Sequence, residues 1–106
     1  MYSDIIRINE FLIQGVINGD SKAQLRFVQL SERYIYGAIN KFDHLEKNDK
    51  DDLYQMVFFK LFEDDMRRIK VWKQKSQFTT YLYRIVINTV KDYFRSANVK
   101  KRQKED

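Results

Sequence analysis

Residues 78–95, FTTYLYRIVINTVKDYFR, combine cations, an amide and aromatic rings at spacings that a helix would sort into two sides. At 3.6 residues per turn, Phe78, Leu82, Ile85, Val86, Thr89 and Tyr93 form one stripe, flanked by Tyr83, Ile87, Val90 and Phe94, and the pattern predicts that this side faces a core. Thr80, Tyr81, Arg84, Asn88, Lys91, Asp92 and Arg95 collect on the opposite side. Three cations, an amide and a ring on one solvent-facing strip suit phosphates and unpaired bases, although a plain solvated face has the same composition. Just upstream, Arg67, Arg68, Lys70, Lys73 and Lys75 bracket Trp72. Cations interleaved with rings can hold a nucleic-acid backbone and stack single-stranded bases at about 1–3 kcal/mol each. Trp72 or Phe78 could instead close the core at a helix junction, which is the preferred reading for Phe78.

Other chemistry is poorly represented. His44 is the single histidine and there is no cysteine, so transition-metal sites, disulfides and thiolate chemistry lack their ligands. The serines have no histidine base at helical reach, and no glycine-rich phosphate loop is present. Asp49, Asp51 and Asp52 lack the central glycine and terminal glutamate of a calcium loop and read as helix-capping acids. The sequence therefore predicts no enzyme, no metal and no cofactor.

The elements that must position the basic strip are helical. The chain has 106 residues, 43% of them hydrophobic, enough for one compact domain with a modest core. Zero prolines and three glycines permit long helices, and the expected class is all-α, a compact bundle of three to four helices. Ile5, Ile8, Leu12, Val16 and Ile17 predict a first helix ending near Gly19, with Asp20 or Ser21 capping the next. Leu25, Val28, Leu30, Tyr34, Ile35, Ala38, Ile39 and Phe42 predict a second, longer helix. Residues 44–51 read as a solvated loop, and a third helix is expected to begin near Asp51 or Asp52 and run past Phe62 towards Lys70. Acids at 63–65 and the cations Arg67, Arg68 and Lys70 would form exposed helical ion pairs. Residues 1–97 form the expected domain, and residues 98–106 a basic flexible tail or the start of a linker. No run reaches the roughly 18 apolar residues of a membrane span, and the start lacks signal-peptide order, so a cytoplasmic chain is expected.

Charge and apolar pattern suggest two partners. Residues 1–65 hold 8 basic and 12 acidic side chains, a net −4, whereas residues 66–106 hold 12 and 3, a net +9. A polyanion is expected at the C-terminal half and something different at the N-terminal half. On the third helix Leu53, Tyr54, Val57, Phe58, Leu61 and Phe62 form a broad core face. Asp52, Gln55, Met56, Phe59 and Glu63 occupy the other side, where two large apolar side chains among acids suit an amphipathic partner.

These residues resemble region 2 of bacterial RNA polymerase sigma factors, most closely the compact extracytoplasmic-function class. Residues 52–58, DLYQMVF, look like the family's D-L-x-Q-E-x-F helix. Residues 78–85, FTTYLYRI, with Asn88, Asp92, Tyr93 and Arg95, look like its F-x-T-W-L-Y-R-I-x-x-N segment, and Gly19, Asp20 and Ala23 are similar to an upstream G-D-x-x-A element. The resemblance covers roughly residues 10 to 97. It implies that Asp52, Gln55, Met56, Phe59 and Glu63 bind the clamp coiled coil of the largest subunit of core RNA polymerase. It implies equally that Trp72, Lys73, Lys75, Phe78, Thr79, Thr80 and Tyr81 contact the opening −10 bubble and displaced non-template strand of promoter DNA. Arg84, Asn88, Lys91 and Arg95 would then supply −10 recognition and phosphate contacts. Met56 stands where the family has an acid, Tyr81 where it has Trp, and the interval from Phe62 to Trp72 is about one helical turn longer than in compact members. The basic loop also lacks the glycine often found there. No region 4 helix-turn-helix follows Arg95, which implies an excised domain or a separate region 4 protein, and an anti-sigma factor is a further possible partner. Two alternatives stay open: a regulatory helical module that binds the polymerase clamp without reading DNA, and a non-specific nucleic-acid-binding domain working through Lys100, Lys101, Arg102 and Lys104.

Overall fold

A computed structural model describes residues 8–43, 45–72 and 76–105, with side chains as far as Ser96. Ile5, His44, Lys73, Lys75 and the side chains of the basic tail lie outside the described residues. Four helices form, α1 (Glu10–Ile17), α2 (Ser21–Ile39), α3 (Lys47–Lys70) and α4 (Phe78–Glu105), with no strand among the described residues. The class is all-α, as its glycine-poor, proline-free composition predicts.

The first junction follows from three side chains. Asn9 Oδ1 caps α1 by accepting from Leu12 N at 2.9 Å. Gly19 ends it in the left-handed region at φ 85°, so that Gly19 N donates to Val16 O at 3.2 Å and Asp20 N to Gly15 O at 3.0 Å. Asp20 then accepts from Lys22 N at 3.0 Å to start α2. Past this turn the two helices touch so closely that a Cβ on Gly15 would lie 2.7 Å from that of Ala23. The Ala23 of the G-D-x-x-A element thus has a packing reason, since it and Gly15 must both be small where the helices cross.

The core-facing side of α2 differs from the expected one. Phe27, Leu30, Ser31, Ile35, Ala38 and Ile39 are buried, while Leu25 is 61% exposed and Tyr34 faces solvent. The stripe is rotated because Phe27, rather than Leu25, enters the centre, edge-on to Phe62 and Phe78 at centroid distances of 6.0 and 5.7 Å.

α3 begins at Lys47, four residues before the expected start. Asp49 makes the difference: its Oδ2 accepts from Glu46 N at 3.1 Å, while its other oxygen accepts from the Tyr93 hydroxyl of α4. Tyr36 of α2 donates to Asp51 at 3.0 Å and stacks on Tyr54 at 4.7 Å. Two tyrosines from different helices thereby pin the acidic N-terminus of α3. The Tyr93 hydrogen bond, helped by that from Glu46, holds the Asp49 carboxyl below its ordinary range. The bond to Asp49, together with burial, pushes the Tyr93 hydroxyl up to about 12. Stability from the depressed Asp49 is present above the unfolded value of about 3.9 and disappears as pH falls through the lower folded value. The difference in Tm between wild type and Tyr93→Phe should therefore be widest near neutrality and shrink below about pH 4. A difference independent of pH would remove this bond from the account.

Beyond Phe62 the helix does not continue straight. Glu63 is extended (ψ 158°), and Asp64, Asp65 and Met66 are left-handed at φ 52°, 55° and 60°, before right-handed backbone resumes at Arg67. Non-glycine residues disfavour this region by roughly 1–2 kcal/mol each. The expected helical ion pairs are replaced by pairs that close across the reversal, Arg68 with Glu63 and Lys70 with Asp65 at 2.7 Å. Both are five residues apart in sequence, a spacing that puts side chains on nearly opposite sides of a straight helix. The backbone reversal is what lets them meet. α4 buries Phe78, Leu82, Ile85, Val86, Thr89 and Val90, whereas Tyr83 and Phe94, expected to face the core, are exposed at its margins. Its backbone helix extends to Glu105, beyond the point where fraying is expected.

Candidate nucleic-acid and protein interfaces

The outer side of α3 gathers Asp52, Gln55, Met56, Phe59 and Glu63 around one shallow depression of about 600 Å³. Leu53, Val57 and Leu61 are buried on the inner side of the same turns, so packing fixes the direction in which the outer set points. Phe59 is 70% exposed and Met56 sits at the same surface. Lys60 and Tyr93 complete the wall, and neither is apparent from the α3 pattern alone. Tyr93 reads as a core residue by spacing, but its half-buried ring reaches the rim because its hydroxyl is drawn to Asp49.

The basic side of α4 presents Thr80, Arg84, Asn88, Lys91 and Arg95 to solvent, with Thr79 half-buried. Asn88, Lys91 and Arg95 line a groove of about 380 Å³ against α3, joined by Lys60, Arg68, Ile85 and Asp92; Arg84 and Thr80 are not part of it. Lys60 Nζ donates to the buried Thr89 hydroxyl at 3.0 Å and lies 3.7 Å from Asp92, while Arg95 lies 3.9 Å from Asp92. The Thr89 hydroxyl in turn donates to Ile85 O at 2.7 Å, so Lys60 is anchored deep in the α3–α4 seam. Lys60 belongs to both surfaces.

The aromatic residues before and within α4 separate by role. Phe78 is fully buried, edge-on to Trp72 at 5.3 Å, so it supports the connection from beneath and offers no surface for a contact with DNA. Trp72 is half-buried, and its Nε1 donates to Ser76 O at 3.1 Å. Tyr81 is not the free solvent-facing ring that spacing suggests: its hydroxyl donates to Arg68 O at 2.7 Å, and burial raises its pKa. A cavity of about 400 Å³ opens beside these rings, lined by Trp72, Ser76, Gln77, Thr79 and, from the opposite wall, Asn9 and Glu10. The α1 wall is invisible to a local reading, because those residues are over sixty positions away in sequence.

The Sigma-70 region 2 family profile matches residues 27–99, most of the chain. The chain belongs to the Sigma-70 region 2 family. An ECF RNA polymerase sigma-E factor of Haemophilus influenzae is 32% identical to this sigma region 2 domain over 85 residues, covering 80% of the chain and 42% of the relative. The match thus spans less than half the length of that curated relative. No solved structure matches. The family is one of transcription initiation factors rather than enzymes. Within the sigma region 2 domain, the interval from Phe62 to Trp72 contains the left-handed reversal at residues 63–66. Among the described residues no group of acids or histidine could hold a metal, and no helix is long and apolar enough to cross a membrane.

Proposed function

We propose that this sigma region 2 domain docks on core RNA polymerase through the outer side of α3 and recognises and melts the −10 promoter element with α4 and the connection preceding it. The observation that supports this most is the juxtaposition of two unlike surfaces, an acidic-apolar depression centred on Phe59 and a basic groove on α4, meeting at Lys60. The first suits an amphipathic helical partner such as the clamp coiled coil of the largest subunit. The second suits phosphates. The cavity beside Trp72 has one aromatic wall and polar groups from Ser76, Gln77 and Asn9, which suits an unstacked base of the non-template strand. Opening would then be driven by capture of bases as they leave the stack, with no covalent chemistry. Lys73 and Lys75, between Trp72 and Ser76 in sequence, would add positive charge. A polymerase partner sets the cytoplasm as the place of action, and a separate region 4 protein or an anti-sigma factor would be an additional partner.

Binding to single-stranded oligonucleotides of varied −10 sequence tests the DNA side. Lys91→Ala should weaken all of them alike and reduce the slope of log affinity against log salt by about 1. Asn88→Ala should instead alter the order of preference, by about 1–3 kcal/mol at the base it reads. Unchanged preference in Asn88→Ala would remove Asn88 as a reader.

A further inference from the structure

Arg68 stands between the two surfaces. Arg68 lines the basic groove with Lys60, Lys91 and Arg95, yet its Nη1 is bonded to Glu63, which lines the depression on the other side, and reaches Lys60 O at 3.4 Å. Its backbone is fixed independently, because Arg68 O accepts from Tyr81. Only the side chain must move for the charge to turn into the groove. The left-handed reversal is what brings Glu63 within reach, since five residues on a straight helix would keep the pair apart.

Resting on the nucleic-acid reading above, we propose that the α3–α4 groove seats a backbone phosphate on Arg68, Lys91 and Arg95, and that Glu63 masks Arg68 in the free domain. Asp92, which already lies near Lys60 and Arg95, reduces but does not cancel the groove's charge, since four cations face this single carboxylate. With Glu63 bonded to Arg68, one of those four is spoken for. A partner that takes the Glu63 carboxylate into its own contacts releases Arg68 to the phosphate. By linkage, phosphate binding releases Glu63 to the partner to the same degree. The Glu63–Arg68 pair thereby links occupancy of one surface to the charge presented by the other.

The test is oligonucleotide affinity of the isolated chain at low salt. Glu63→Ala should bind about 3- to 5-fold more tightly than wild type, the scale of one partly exposed ion pair. Glu63→Gln, which keeps the side chain's size, should show a smaller gain in the same direction. Asp64→Asn removes the same charge one residue away, where the side chain is exposed, and should change affinity by less than about 2-fold. In Glu63→Ala/Arg68→Ala the gain should vanish. Equal gains in Glu63→Ala and Asp64→Asn would reduce the effect to net charge and overturn the mask, and a gain that survives loss of Arg68 would remove Arg68 from the seat. Absence of binding in wild type and every variant would instead sink the nucleic-acid reading itself, and this proposal with it.

Discussion

Phe59→Ala is expected to weaken binding to core RNA polymerase or its clamp fragment by at least about 30-fold, the loss of about 2 kcal/mol associated with removing a central aromatic anchor. Phe59 carries that expectation because 70% of its surface is open to solvent in a helix whose other rings are packed. It lies at the middle of the series Asp52, Gln55, Met56, Phe59 and Glu63, with Met56 one turn before it and Glu63 one turn after. Acids and an amide around an apolar centre match the usual anatomy of a docking site, in which the rim excludes water and the centre supplies the energy. Because Phe59 packs little within the domain, Tm should stay close to that of wild type. Gln55→Ala, at the rim, should weaken binding less. Titration of labelled domain with core enzyme measures both, and wild-type affinity in Phe59→Ala would move the polymerase contact elsewhere.

Phe78→Ala should have the largest effect on stability. The ring has no exposed surface and contacts Phe27 at 5.7 Å, Trp72 at 5.3 Å and Tyr81 at 5.8 Å between ring centroids. Truncation of such a ring removes about 3–5 kcal/mol, a large part of the roughly 5–15 kcal/mol that holds a domain of this kind together. At about 4–8 °C per kcal/mol, Tm should fall by tens of degrees. Phe78→Leu, which refills most of the space, should recover roughly half the loss. Thermal unfolding by circular dichroism reads all three proteins. If Phe78→Ala melted within a few degrees of wild type while losing affinity for DNA, the ring would have to be a contact after all.

Much of this arrangement is legible in the sequence where one helix decides it. α4 reads well because Phe78, Leu82, Ile85, Val86 and Thr89 recur at a strict helical interval and all of them are buried. The outer side of α3 reads well for the same reason, since Leu53, Val57 and Leu61 commit the opposite turns to the core. α2 reads less well: Leu25 and Phe27 are both apolar, and only the positions of Phe62 and Phe78 across the interior decide which points inward. The early start of α3 depends on Asp49 meeting Tyr93, forty-four residues away. The reversal at residues 63–66 is the hardest case. Glu-Asp-Asp-Met has no glycine to announce left-handed backbone, and the ion pairs that bridge it exist only once the turn has formed. Tyr81 illustrates the same limit, since its place on the polar strip does not reveal that Arg68 O has claimed its hydroxyl.

The rings of the core form an unbroken series from Tyr36 through Tyr54, Phe58, Phe62, Phe27 and Phe78 to Trp72. Trp72 is the chain's single tryptophan and lies at the end of that series, on the wall of the cavity beside α1. The domain therefore carries its own optical probe. Its tryptophan emission comes from one indole, placed where a stacked base would quench it and where separation of the connection from Phe78 would shift it towards the red. Opening of promoter DNA and loosening of the fold can be followed in the unmodified protein, the first as a loss of intensity and the second as a shift in wavelength, with no attached dye.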